Sequence, residues 1–236
     1  NIQTNAGILD FGSNSTVNDG EWHHVAAVYD NGQASIYIDG VLDAQINQGT
    51  AFGSGNTRFG FIGTGSEAPS FNGTTGPNNE FNGDIDEVRV WSVARSQDQI
   101  RELMCTSFEG QKNGLEIYYN FNEASGNSLT DVANGNDGTT VGMNAADWVT
   151  SGAAVGHTST YLYPANWSGQ TLSLNSCSGT NLEVSNVSGS LSGIHLYVVE
   201  EDALDQTGIL TFVANNHYYG IFQTESGVET YDAAYA

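Results

Sequence analysis

Carboxylates and amides carry the chemistry that this sequence offers. Asp84 and Asp86 stand two apart in Gly83-Asp84-Ile85-Asp86-Glu87-Val88-Arg89-Val90-Trp91. If that segment is extended, Asp84, Asp86, Val88 and Val90 share one face, and Ile85, Glu87, Arg89 and Trp91 share the other. A carboxylate among valines is costly unless something satisfies it. Two partners meet the need: backbone N–H groups at the strand entrance, or a calcium ion, which takes several oxygen ligands from carboxylates, amides and carbonyls. A second oxygen-rich set follows in Asn120, Asn122, Glu123 and Asp131, ahead of the turn at 134–138. Turn chemistry accounts for these as well as a metal does. Asp84, Asp86, Asn122, Glu123 and Asp131 are the metal-ligand candidates. His23 and His24 alternate faces on a strand, so they cannot chelate one ion together, and hydrogen bonding is their expected role. Cys105 and Cys177 form no CxxC pair; they are either a disulfide or two free thiols.

These groups need elements to position them. Trp22 to Tyr29 and Ala34 to Ile38 alternate β-branched and aromatic residues around Asp30-Asn31-Gly32-Gln33, which is how a hairpin is written. Asp39-Gly40 supplies a second tight turn and predicts a third strand, Val41 to Ile46. Neither face of the first run is clearly polar, so a strand covered on both sides is expected. Ser96, with Gln99 three residues on and Asp98 in the first turn, opens a short helix near 96–107 whose apolar stripe is Ile100, Leu103 and Met104. Between 49 and 82 the chain turns to Gly, Ser, Thr and Asn, with a strand-like interruption at 57–63. The long stretch 67–80 is where a ligand is expected. Glu67, Asn72, Asn78, Asn79 and Glu80 are its candidate binding residues.

Charge excludes several functions. Against 27 acidic residues stand five basic ones, Arg58, Arg89, Arg95, Arg101 and Lys112, for a net charge of -22. Such a surface repels phosphate backbones and anionic headgroups, which excludes nucleic acid as a partner and disfavours membrane insertion. No run approaches the ~18 apolar residues of a membrane helix. The chain begins with Asn1 and has no signal-like stretch, so a longer precursor is expected. Its 236 residues suffice for one large or two modest domains of ~100 to 200 residues each. Toward the end, strands are expected at 161–163, 170–174, 181–184, 194–199, 209–213, 218–224 and 229–235. Tyr161, Tyr163, Trp167, Tyr218 and Tyr219 there would form either a sugar-stacking surface or core.

The words DGEWHHVAAVYD, ASIYIDGVL and FNGDIDEVRVWSVARSQDQIREL (positions 81–103) resemble the second half of a laminin-G-like, concanavalin-A-type jelly roll from large secreted bacterial surface proteins. The resemblance covers Ala6 to about Leu103. It implies an all-β fold: a jelly-roll sandwich over 1–150, incomplete at its start, and a smaller β module over 156–236. Leu115 to Asp147 resembles the family's opening strand and first loop. Either its strand pairs with the Asp86 strand and closes the sandwich, or a second module begins there. The family often has Asp where Asn122 stands, which weakens a calcium site at that loop. Glucanases of this superfamily carry E-x-D-x-x-E on one strand, and here Asp84, Asp86 and Arg89 occupy those places. An arginine replaces the acid, and no GxSxG or HExxH occurs, so the chain is expected to be no enzyme.

The resemblance thus implies a non-catalytic, calcium-stabilised module of a secreted or cell-surface adhesin that binds polysaccharide or a cell-surface glycan. Further expected partners are other domains of the same chain and a secretion or surface-anchoring machinery. The alternatives are an accessory module of a polysaccharide-degrading enzyme and a structural spacer or secretion cargo with no ligand.

Overall fold

A computed structural model of the chain describes residues 2–4, 7–9, 11–47, 61–64, 80–201, 213–214, 217–224 and 230–235. The described residues are all-β apart from one α-helix and a 3-10 turn at Ala145–Asp147. Strands β1 (Ile2–Thr4) and β2 (Gly7–Leu9) form a small antiparallel pair. Next comes the meander of β3 (Val25–Asp30), β4 (Gln33–Ile38) and β5 (Val41–Asn47). Both of its turns have two central residues at positive φ: Asn31 at 44° with Gly32 at 99°, and Asp39 at 51° with Gly40 at 72°. Loops of this kind match the right-handed twist of the strands they join, which is why Asn-Gly and Asp-Gly stand there.

Two of the sequence-based expectations are corrected here. The face of β3 bearing Val25 and Ala27 is open, with Val25 55% exposed, so this strand is covered on one side. The segment from Asp84 is not one extended strand either. Pairing begins only at β6 (Val88–Trp91), because Glu87 takes a φ of 57° and breaks the alternation.

Helix α1 (Gln97–Met104) follows, with both capping-box bonds made between Ser96 and Gln99 and with Ile100 and Met104 buried. The chain then returns as β7 (Leu115–Tyr119), antiparallel to β6, with Val88 opposite Tyr119 and Val90 opposite Ile117. Strands β8 (Ser128–Leu129) and β9 (Gly138–Thr139) close a small hairpin beyond it.

The remaining strands are β10 (Thr158–Leu162), β11 (Thr171–Asn175), β12 (Asn181–Ser188), β13 (Gly193–Val199), β14 (Val213–Ala214), β15 (His217–Thr224) and β16 (Thr230–Tyr235). They form two sheets, ordered β10-β13-β15-β14 and β11-β12-β16. Leu172, Leu174, Leu182 and Val184 from one sheet meet Ile194, Leu196, Val198 and Tyr219 from the other. Trp167 belongs to this core and donates its indole N–H to the Leu191 carbonyl at 2.8 Å. Tyr219 is fully buried, so these two aromatics are interior rather than a sugar platform.

β13 is buried on both faces. Ile194, Leu196 and Val198 point into this core, so His195 and Tyr197 must point the other way. What covers them is the first part of the chain. A parallel bridge joins Thr106 to Gly156, with the Ser107 N–H donating to the Gly156 carbonyl (2.7 Å) and the Gly156 N–H to the Cys105 carbonyl (3.1 Å). Arg101 Nε and Gln97 Nε2 donate to the Gly40 carbonyl at 2.9 and 2.8 Å, and Tyr163 Oη donates to the Asp39 carbonyl at 2.9 Å. A Cβ at Gly40 would stand 2.8 Å from Tyr163 Oη and 2.9 Å from Arg101 Cγ, so only glycine fits. Cys105 is buried and Cys177 exposed; both are free thiols, and the two halves are stapled by this seam instead of a disulfide.

Candidate functional site

Between the meander and the start of α1 lies a groove of about 270 Å³. Strand alternation builds one wall. Val28 and Asp30 on β3 face the same side as Gln33, Ser35 and Tyr37 on β4, since Val28 pairs with Ser35 and Asp30 with Gln33. The other wall is Arg95, Ser96 and Gln99 at the helix start. Arg95 lies with its guanidinium carbon 4.3 Å from the centre of the Trp91 ring, a stack that holds the cation in place beside the groove. Ser35 also accepts a hydrogen bond from Gln45 Nε2 at 2.9 Å. The groove therefore offers one carboxylate, one guanidinium, amide groups and a tyrosine. That combination suits hydroxyl-rich ligands, which both donate and accept hydrogen bonds and have apolar ring faces. Sequence reasoning passed over these residues. The polar alternation Gln33, Ser35, Tyr37 was the available signal, but nothing local says that a helix 60 residues later forms the opposite wall.

The sequence-derived candidates are dispersed. Glu67, Asn72, Asn78 and Asn79 lie outside the described residues, and Glu80 is exposed, bridged to Thr64. Asp84 is exposed, and Asp86 Oδ1 accepts the Glu87 N–H at 2.8 Å. Asn122 is exposed, with its N–H toward Asn120 Oδ1 at 3.5 Å. Glu123 Oε1 accepts the Thr130 N–H at 2.7 Å.

Asp131, 4% exposed, accepts four backbone N–H groups: Tyr118 (2.8 Å) and Ala133 (3.0 Å) on Oδ1, Asn134 (3.2 Å) and Asn136 (2.8 Å) on Oδ2. Burial alone would raise its pKa; these bonds outweigh that and hold it below the ordinary value. A carboxylate so occupied has no lone pairs aimed outward for a metal. Among the described residues no group of three or more His, Cys, Asp or Glu side chains could hold a metal ion. The described acidic candidates, Asp84, Asp86, Glu123 and Asp131, form no such group.

Two other clusters absorb chemistry-bearing side chains into structure. Arg89 donates to the Leu103 and Thr106 carbonyls at 2.6 and 2.7 Å and to Glu87 Oε2, which also accepts from Tyr118 Oη at 2.6 Å. The guanidinium lies against both Phe108 and Tyr118, 4.8 and 4.7 Å from their ring centres, and the two rings touch each other at 4.7 Å. Burial raises the pKa of Glu87 even with Arg89 beside it. Where a glucanase would place its last acid, this chain uses the arginine to tie the end of α1 to β6. At the other cluster, Asp39 Oδ2 meets His23 Nδ1 at 2.8 Å and Oδ1 accepts the His24 N–H at 2.8 Å, while His23 Nε2 lies 3.0 Å from Asp19. Burial opposes charge on His23, but the two carboxylates outweigh it and raise the pKa. Both histidines pin the Asp39-Gly40 turn.

Comparison with known proteins gives one family. No curated protein and no solved structure matches the chain. A family model described as the concanavalin A-like lectin/glucanases superfamily, of laminin-G type, matches residues 1–101, ending inside α1. The all-β meander and the capped helix agree with that match, and residues 1–101 are similar to a laminin-G-like domain of the concanavalin A-like lectin/glucanase superfamily.

Proposed function

We propose that this chain is a non-catalytic binding module of a secreted or cell-surface protein, and that a neutral polysaccharide lies in the groove between β3–β4 and α1. The observation that carries the reading is the groove itself, where Tyr37 and the Trp91-stacked Arg95 flank Asp30, Gln33 and Gln99. A net charge of -22 opposes uronic-acid or sulfated chains, so neutral glycans are favoured. No described helix is long and apolar enough to cross a membrane.

The test is calorimetric titration of the protein with a panel of neutral and anionic polysaccharides, each in calcium and in chelator. A neutral glycan is expected to bind equally in both. Tyr37→Ala and Arg95→Ala should each weaken it about tenfold, the equivalent of ~1.4 kcal/mol. A folded protein silent across the panel would overturn the glycan reading and leave the spacer. Binding that both variants leave intact would place the site elsewhere, and binding lost in chelator would restore calcium.

A further inference from the structure

The seam between the two halves buries two imidazoles that neither the fold nor the groove needs in titratable form. His195 on β13 is fully buried. Its Nε2 lies 2.8 Å from Tyr163 Oη, and that hydroxyl already gives its single proton to the Asp39 carbonyl. Nε2 must therefore be the donor, which leaves Nδ1 as a bare acceptor, and Nδ1 is buried with no partner. His24, at the entrance of β3, likewise buries Nδ1 without a partner. The two side chains come from opposite sides of the seam, 171 positions apart in a chain of 236, and are close enough to repel one another when charged.

Their surroundings favour the neutral forms. The positive charge of Arg89 on β6 acts against protonation of His24, and that of Arg101 on α1 against protonation of His195. Tyr161 stacks on His195 at 5.3 Å, and Tyr163 and Phe222 stand edge-on to it. Cys105 at the end of α1 is kept as a thiol by burial. Asp39, the carboxylate of the adjoining turn, has its oxygens taken by His23 and the His24 N–H, while Asp98 and Glu102 lie beside Tyr161 at the rim.

We propose that the seam is an acid-released latch: closed while His24 and His195 are neutral, and opened when a proton on either imidazole finds no acceptor inside the closed joint. Once opened, both rings reach water and take up protons at their ordinary value. Burial, helped by Arg89, holds His24 down to about 4, and burial, helped by His24 and Arg101, holds His195 down to about 3. The open form binds the extra protons, so opening gains as pH falls from about 6.5 toward 4, by up to about tenfold per pH unit for each histidine. Above 6.5 the gain vanishes.

Hydrogen exchange of the full chain tests this, with rates corrected for intrinsic chemistry. Between pH 7.5 and 5.5 the Ser107 and Gly156 amides, which bond across the seam, should lose at least tenfold protection, while Leu196 and Ile221 in the β13–β15 ladder keep theirs. A double variant, His24→Gln with His195→Gln, should flatten the dependence. Unchanged protection in the wild type, or the same loss in the double variant, would overturn the latch. Should that variant fail to fold, imidazole resonances of the wild type decide. Rings that stay neutral at pH 5.5 in the closed population support the latch; rings that protonate near 6.5 under a still-protected seam overturn it.

Discussion

Removing the carboxylate of Asp131 would leave the amides of Tyr118, Ala133, Asn134 and Asn136 without their acceptor, in a place 4% exposed. Unpaired buried amides cost about 1–3 kcal/mol each, with partial relief from water. Asp131→Ala should therefore lose about 3 kcal/mol in urea unfolding, and the loss should be the same in calcium and in chelator. Its pKa is depressed, so the stabilisation is present above the ordinary carboxylate value of 3.8 and is lost as pH falls through the folded value. Sequence made Asp131 visible as an oxygen donor and left two uses open. What meets the carboxylate is the backbone of Tyr118, Ala133, Asn134 and Asn136, and the aim of those amides is a property of backbone dihedrals. Asp86 is a similar case, because the positive φ at Glu87 takes it out of the strand on which it would have shared a face with Val88.

Helix α1 is the element that both the groove and the seam use. Its first turn lines the groove through Ser96 and Gln99, and its later turns reach Gly40 and Tyr163 through Arg101. Ser96 accepts the Gln99 N–H and Gln99 answers to the Ser96 N–H. Ser96→Ala should cost about 1 kcal/mol by thermal unfolding, as loss of a cap does elsewhere. This helix was legible because capping is written within four residues, and the meander because Asn-Gly and Asp-Gly turns are written within two. Strands β11, β12, β13 and β15 were legible from alternation, as Leu172, Leu174, Leu182 and Val184 show, while most of the strand expected at 209–213 lies outside the described residues. The groove was not, since its two walls are set by the return of the chain after β6. Nor was the open face of β3: Val25 and Ala27 read as interior residues, and only the assembled sheet shows them exposed.

At the scale of the whole molecule, the two halves are joined through residues that local patterns assign to other duties. Tyr163 reads as a strand aromatic, and its hydroxyl serves the Asp39 turn 124 positions earlier. The one hint in the sequence is β13, where Ile194, His195 and Leu196 are all buried: a two-sided strand needs a second neighbour, and periodicity cannot name it. The placement of the basic residues has a consequence for proteolysis. Trypsin finds nothing to cut after Lys112, and Arg89 and Arg101 are held inside the fold, whereas Lys112 is exposed in the turn before β7. A cut there would separate α1 from β7 in the chain but not in space, because the β6–β7 ladder and the seam span the nick. The fragment that begins at Asn113 should appear on a denaturing gel and, without denaturant, elute on gel filtration together with the rest of the protein. Separation of the fragments without denaturant would mean that the peptide link, rather than the packing, holds the halves together.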